Sequence, residues 1–374
     1  MSISSKRALV IGALALLSLG AVTAPAGAAE EETGWRIAAL SPSYTGGDDY
    51  QDVTATGPDD AWAVGTAPCC AADARKISHW DGTAWRPVTL PAAPQGAVEP
   101  TLRSVGASST DDVWVFGDGA DGPGFAHHWD GVTWSTTVFG AEVRIKETAV
   151  LGPRDAWFTG LEWTEPTGDR PIVEHYDGDG WTRTPLPDTL EDVNAISATS
   201  ANDVWAMGWS GSAPVTLHWD GSAWRTIGLP APDLDAGFGV AEGDILSVGP
   251  DDAWASGILV DDGVRPGPVL WHWNGRRWRL VNVDSPQDSL TTLAPDGRGG
   301  LWMVSAGPRP TADLLHYSRD GLTREPAPVE PGTTADVREL TLIPGTHALW
   351  GAATLTNDDG RSAAAVYRYD PPAA

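Results

Sequence analysis

The sequence predicts an all-β fold, a closed ring of seven four-stranded antiparallel sheets, and three observations predict it. A phrase of the form Asp-x-Trp recurs with its tryptophan at Trp62, Trp114, Trp157, Trp205, Trp254, Trp302 and Trp350, at intervals of 52, 43, 48, 49, 48 and 48 residues. A second phrase, His-aromatic-Asp-Gly followed by another tryptophan, answers it in most units. The last unit stops before that closing tryptophan strand, and the start of the chain supplies one: Gly34-Trp35-Arg36 reads like Ala84-Trp85-Arg86. A period of this length in a strand-rich pattern is the signature of β-propeller blades.

Taken in order, each unit opens with a short strand such as Asp52-Val53-Thr54-Ala55-Thr56 or Asn194-Ala195-Ile196-Ser197. A turn of Gly, Pro, Asp, Asn or Ser follows, as in Gly57-Pro58-Asp59-Asp60. The second strand runs through the repeat tryptophan, usually to a glycine three residues on: Gly65, Gly117, Gly160, Gly208 and Gly257. After a variable loop the third strand ends in His79-Trp80-Asp81-Gly82, His128-Trp129-Asp130-Gly131, His175-Tyr176-Asp177-Gly178, His218-Trp219-Asp220-Gly221 or His272-Trp273-Asn274-Gly275, with Asp-Gly and Asn-Gly as hairpin signals. The fourth strand opens on Trp85, Trp134, Trp181, Trp224 or Trp278. The sixth unit is degraded: Gly299-Gly300 replaces the acidic turn, and Leu322 stands where a tryptophan is expected. The seventh keeps Trp350 and Tyr367-Arg368-Tyr369-Asp370, and the segment from Trp35 is expected to complete it, so the ring has no free sheet edge.

A blade is covered on both faces by its neighbours, and tryptophan fills the widening wedge between radial sheets. Of the 20 tryptophans, 17 hold repeat positions. The exceptions are Trp163 and Trp209, expected in variable loops, and Trp271, expected in the core.

This pattern (a glycine ending the second strand, then an aromatic, then a tryptophan opening the fourth) resembles kelch or galactose-oxidase-type seven-bladed propellers over residues 33 to 374. It is also similar to repeats of uncharacterised secreted bacterial propellers. The chain departs from kelch repeats in having one glycine where two are expected, and Ser305 and Ala353 in the last two units. The resemblance implies protein or carbohydrate binding, and only in a few cases an enzyme. No copper site carries over, because Tyr176, Tyr317 and Tyr369 are repeat aromatics and Cys69-Cys70 has no tyrosine beside it.

Composition sets the setting. Residues 1–29 read as a secretory signal: Lys6-Arg7, an apolar stretch from Ala8 to Leu19, and small residues ending Ala28-Ala29. The apolar stretch is too short to span a bilayer and no longer one follows, so a secreted chain without membrane insertion is expected. Formal charge is -26, or -28 once Lys6 and Arg7 are removed. Such a surface repels phosphate backbones and excludes nucleic acid as a natural partner. The only cysteines, Cys69 and Cys70, are neighbours. Their Cα spacing of about 3.8 Å is below that of an ordinary disulfide, so a bond between them is a strained ring, and a free or intermolecular pair is the alternative.

Six of the eight histidines share one repeat position: His79, His128, His175, His218, His272 and His316. A metal centre needs its ligands to converge, whereas these lie around a circle. They are expected to be structural, packed or hydrogen-bonded between blades. Asp60, Asp112, Asp155, Asp203 and Asp252 are expected to cap their turns. No metal site, cofactor loop or nucleophile elbow is predicted.

Antiparallel order puts the short turns on one face of the ring and the variable loops and blade links on the other. Function is expected on the variable face, where the repeat is broken. Candidate ligand-binding residues there are Trp163, Trp209, Glu162, Asp169, Arg170 and Arg265; Asp233, Asp235, Arg309 and Asn357-Asp358-Asp359 share that face. The first expectation is a monomeric secreted binding propeller for a glycan or protein ligand, with a tryptophan stacking on a sugar ring. The alternative is an enzyme on an extracellular polymer, using Glu162, Glu165, Asp261 or Asp262. A third reading is a bare interaction scaffold. A deep pocket with paired, desolvated carboxylates favours the enzyme, and a flat wet face favours binding.

Overall fold

The computed structural model describes residues 33–372 apart from 43, 69–72, 120–121, 141, 167, 212, 232–238, 242, 262–263, 284–288 and 307–310. Residues 1–29, expected to be a secretory signal, lie outside the described residues with Cys69-Cys70, Asp233, Asp235, Asp262 and Arg309, as do the side chains of Asp261 and Arg265.

Seven antiparallel sheets form the blades, six of them meanders in chain order, and the molecule is a seven-bladed β-propeller. Blade five has its innermost strand in two pieces, Gly239–Ala241 and Ile245–Gly249. Blade seven takes its outermost strand, Gly34–Leu40, from the other end of the chain, with Trp35 opposite Tyr369. The ring therefore closes through one shared sheet, as the N-terminal phrase predicts.

The tryptophans explain why sheets stack at all. Five of the seven second-strand tryptophans are met by both the third-strand aromatic and the fourth-strand tryptophan of the next blade, and the other two by one of them. Trp62 meets Trp134, Trp114 meets Tyr176 and Trp181, Trp157 meets Trp219 and Trp224, and Trp205 meets Trp273 and Trp278. Tyr317 alone serves Trp254, where Leu322 has replaced the partner. At the closure Trp35 and Tyr369 meet Trp302, and Trp80 and Trp85 meet Trp350. Ring centroids are 4.7–6.3 Å apart and most pairs are edge-on or tilted, as aromatic quadrupoles prefer. Trp271 is buried as expected and donates to the Pro230 carbonyl at 2.9 Å.

The six repeat histidines are structural, but within a blade rather than between blades. Each lies against its own blade's tryptophan, with His175 3.8 Å from Trp157. Each imidazole Nε2 donates to an aspartate of the same blade, at 2.7–2.9 Å. The register causes this, because the histidine stands directly opposite the tryptophan on the adjacent strand.

The repeated aspartates thus do more than cap. Asp60, Asp112 and Asp203 each hold the histidine with one oxygen and the turn's Thr56, Ser108 or Thr199 hydroxyl with the other. In blade six the carboxylate has moved rather than vanished. Asp296 serves His316 and also accepts from the Arg298 and Gly300 amides. A Cβ at residue 300 would lie 2.5 Å from Asp296 Oδ2, which is why glycine stands there. In blade seven Arg368 replaces the histidine, its guanidinium 4.5 Å from the Trp350 ring centroid and paired with Asp370.

Candidate functional site at the channel mouth

The innermost strands line a central channel. In blades two, three, four, six and seven their register slips at one height: between Leu102 and Ser104, Ile145 and Thr148, Val193 and Ala195, Leu290 and Thr292, and Val337 and Glu339. A bulge bends a strand and re-aims its side chains. Here it directs two consecutive residues per blade toward the axis. The outer set, on the variable face, is Gln51, Arg103, Lys146, Asn194, Gly243, Thr291 and Arg338. The inner set is Asp52, Ser104, Glu147, Ala195, Asp244, Thr292 and Glu339.

The inner set repeats itself. Blades one, two and three carry Asp52, Ser104 and Glu147; blades five, six and seven carry Asp244, Thr292 and Glu339; blade four carries Ala195. The bonding repeats as well. Asp52 accepts from the Val53 amide at 2.6 Å and the Val105 amide of the next blade at 2.7 Å. Asp244 accepts likewise from Ile245 at 2.7 Å and Leu293 at 2.8 Å. The Ser104 hydroxyl stands 2.7 Å from Asp52 Oδ2 and 3.3 Å from Glu147 Oε1, and the Thr292 hydroxyl donates to Glu339 Oε1 at 2.8 Å. Both aspartates thus have both oxygens occupied by backbone amides. Both glutamates are held through Oε1 alone, and their Oε2 atoms accept no hydrogen bond among the described residues.

Gathering these groups in one channel costs electrostatic energy, which shows in their proton affinities. Burial first, then the charges of Asp52 and Asp244, push Glu147 well above the usual carboxylate range. Burial, then Asp244, Asp52 and Glu147, do the same to Glu339. Burial pushes Asp244 up to about 7 and also raises Asp52, against their amide bonds. All four side chains still line solvent-reachable space. A cavity of about 490 Å³ opens at the mouth and one of about 320 Å³ continues below, and both touch all four carboxylates.

The mouth itself is rimmed by cations. Arg103 Nε pairs with Asp118 at 3.1 Å, Arg338 Nη2 with Asp336 at 2.6 Å, and Lys146 with Asp192. Arg144 is exposed and also lines the mouth. Among the described residues no group of three His, Cys, Asp or Glu side chains is arranged to hold a metal ion.

The residues singled out from the sequence do not gather here. Trp163 and Trp209 lie on the ends of lengthened second strands, Asp155–Thr164 and Asp203–Ser210, and not in loops. Their register differs: Trp209 follows the repeat glycine directly, whereas Trp163 is three residues past it. Trp163 is 45% exposed, and a Cβ on Gly168 of its own hairpin would touch its ring at 3.6 Å. Trp163 opposes Asp169 and Glu162 opposes Arg170, so alternation sends these two pairs to opposite faces of blade three. Glu162 is locked in a two-bonded ion pair with Arg183, at 2.6 and 3.2 Å, with Arg170 3.9 Å away. That pairing with Arg183 lowers its proton affinity, the wrong direction for a general acid. Glu165 is exposed in the adjoining turn, and Arg170 borders a separate groove with Pro185 and Pro187.

Sequence reasoning missed the channel carboxylates, although a signal existed. Asp52, Glu147 and Asp244 each precede a repeat tryptophan by ten residues, and Glu339 precedes Trp350 by eleven.

No protein-family model matches the chain, and no curated protein matches it. Solved structures do match in fold. YCF48 bound to D1 peptide superposes with a TM-score of 0.58 at 14% identity, over 91% of this chain and 97% of that one. The GH74 xyloglucanase from Xanthomonas campestris gives 0.54 at 12% identity, over 88% of this chain and 55% of that one. Aleuria aurantia lectin in complex with Fucα1-6GlcNAc gives 0.50 at 12% identity, over 76% and 98%. At such identities the likeness establishes the propeller fold alone.

Proposed function

We propose that this chain is an exported binding propeller that takes a polypeptide ligand across the channel mouth on the variable face. The observation that carries this reading is the cavity of about 490 Å³ bordered by polar and charged side chains of both signs from all seven blades. Its described lining contains no aromatic residue. A sugar ring would find no stacking platform there, whereas a polypeptide, rich in amides and charged side chains, matches such a lining. Neighbours of the same fold include a protein with a bound peptide, a lectin with a bound fucoside and a xyloglucanase, so all three kinds of role are compatible with the scaffold. The kelch-type pattern of the repeats fits a binding role too. A peptide array probed with the mature chain tests the reading. Binding should fall in Lys146→Ala and Arg338→Ala and be unchanged in Trp163→Ala; the reverse pattern would move the site to blade three.

A second reading, an enzyme, is favoured by one observation: Glu147 and Glu339 each turn an unbonded carboxyl oxygen into the channel. Hydrolysis by two carboxyl groups needs one protonated and one ionised, and so environments that push them apart. These two have matching environments that push them the same way. Binding is therefore the preferred reading. Turnover of a chromogenic glycoside, abolished by Glu147→Gln, would reverse that preference.

A further inference from the structure

We infer that the ligand of the channel mouth is an acidic stretch of polypeptide, held by its carboxylates on a crescent formed by Arg338, Arg103, Arg144 and Lys146. This deepens the proposed function and rests on it.

The crescent follows from where the bulges fall. Going round the rim, the residue turned toward the axis is Arg338 in blade seven, Gln51 in blade one, Arg103 in blade two and Lys146 in blade three, where Arg144 adds a second cation. At the same level blades four, five and six turn in Asn194, Gly243 and Thr291, none of them a cation. All four rim cations therefore stand on one side of the mouth, three of them already sharing charge with Asp118, Asp336 and Asp192, above the floor of four carboxyls. The chain has 24 Lys and Arg against 50 Asp and Glu, so four basic side chains on one rim run against its composition.

The cations are also placed to accept a further partner. Arg103 meets Asp118 through Nε, and Arg338 meets Asp336 through one Nη. A guanidinium has five N–H donors in a planar fork, so each keeps free edges for a second carboxylate. Arg144, Arg103 and Arg338 are exposed, and among the described residues the Arg144 guanidinium makes no hydrogen bond or ion pair, its charge acting on Asp118 from further off. Asp118 is buried and also accepts from the Ile145 amide at 3.2 Å, which fixes the Arg103 guanidinium at the rim.

The floor does not contradict this polarity. Glu147 and Glu339, crowded by Asp52 and Asp244, hold protons more tightly than ordinary carboxyls. When protonated, a carboxyl with an open Oε2 can donate to a ligand, as the crescent does. As pH rises and the floor ionises, an acidic ligand should be repelled.

The test uses an array of short random peptides of graded net charge, probed with the mature protein at low and high salt and at two pH values. Hits are then measured by fluorescence anisotropy. Acidic peptides should dominate the hits and weaken with salt and with rising pH. Arg144→Ala and Arg338→Ala should each weaken them about tenfold or more, while Arg319→Ala on the opposite face should not. Basic peptides as the dominant hits, lost in Glu147→Gln, would overturn the sign of the charge while leaving the mouth a peptide site. Absence of any peptide hit would sink the proposed function, and this inference with it. Capture of an oligogalacturonate in place of peptides would overturn both as well.

Discussion

Replacing Asp244 by asparagine should make the stability of the propeller less dependent on pH. Burial raises this carboxyl from 3.8 to about 7. A carboxyl that binds its proton more tightly in the folded state contributes stability that is complete below its unfolded value, near 4, and is lost as pH climbs through its folded value, near 7. At about 1.4 kcal/mol per pKa unit the full difference is roughly 4 kcal/mol. Asp244 lines a solvent-reachable channel, which screens the charge, so about half of that is expected. The carboxamide of the variant cannot ionise, but one of the amides of Ile245 and Leu293 would face its NH2 group, a loss of about 1 kcal/mol that does not vary with pH. The stability difference between variant and wild type should therefore shift in the variant's favour by about 2 kcal/mol from pH 4.5 to pH 8. Guanidinium unfolding of both proteins at the two pH values measures it. A difference that stays the same at both, or shifts the other way, would refute the account of the channel as a place where carboxylates are crowded.

The buried inter-blade contact of Arg75 with His127 titrates in the opposite sense. Arg75 Nη1 donates to His127 Nε2 at 2.8 Å, so the ring is neutral and its Nδ1–H donates to Thr136. Burial, then Arg75, lowers His127 to about 4, so its contribution is full above about pH 6.5 and is lost as pH falls through 4. His127→Asn should flatten the acid limb of a thermal-melt profile. Trp35→Ala should cost about 3–5 kcal/mol by leaving a void against Trp302 and Tyr369 at the ring closure, read as a drop in unfolding midpoint. Gly208→Ala should cost about 2 kcal/mol, because a Cβ there runs into the Asp192 carbonyl, whereas Gly57→Ala, with open space around it, should cost little. His218→Ala should cost about 1–2 kcal/mol through the lost bond to Asp203 and leave peptide binding at the mouth unaltered.

The crowding at Gly208 bears on what could be read without coordinates. The repeat glycines at Gly117, Gly160 and Gly208 mark the place where the second strand presses on the carbonyl of the first, just above the bulge. The sequence flags that place as special but does not say that the bulge beside it turns Arg103 and Lys146 inward. The histidines tell a similar story. Their common position identified them as repeat elements, while the choice between a neighbouring blade and their own depended on the register of His218 against Trp205.

By itself the sequence determined the ring: the number of blades, the strands in each, the closure through Trp35 and the tryptophan wedges. These follow from local patterns that return every blade, and each repeat restates them. The channel site could be decided only by tertiary structure. Asp52 and Glu147 are 95 residues apart, as are Asp244 and Glu339, and none looks unusual in its own strand. They become a site because seven inner strands share one axis, and closing the ring brings into one confined channel charges that the chain keeps far apart.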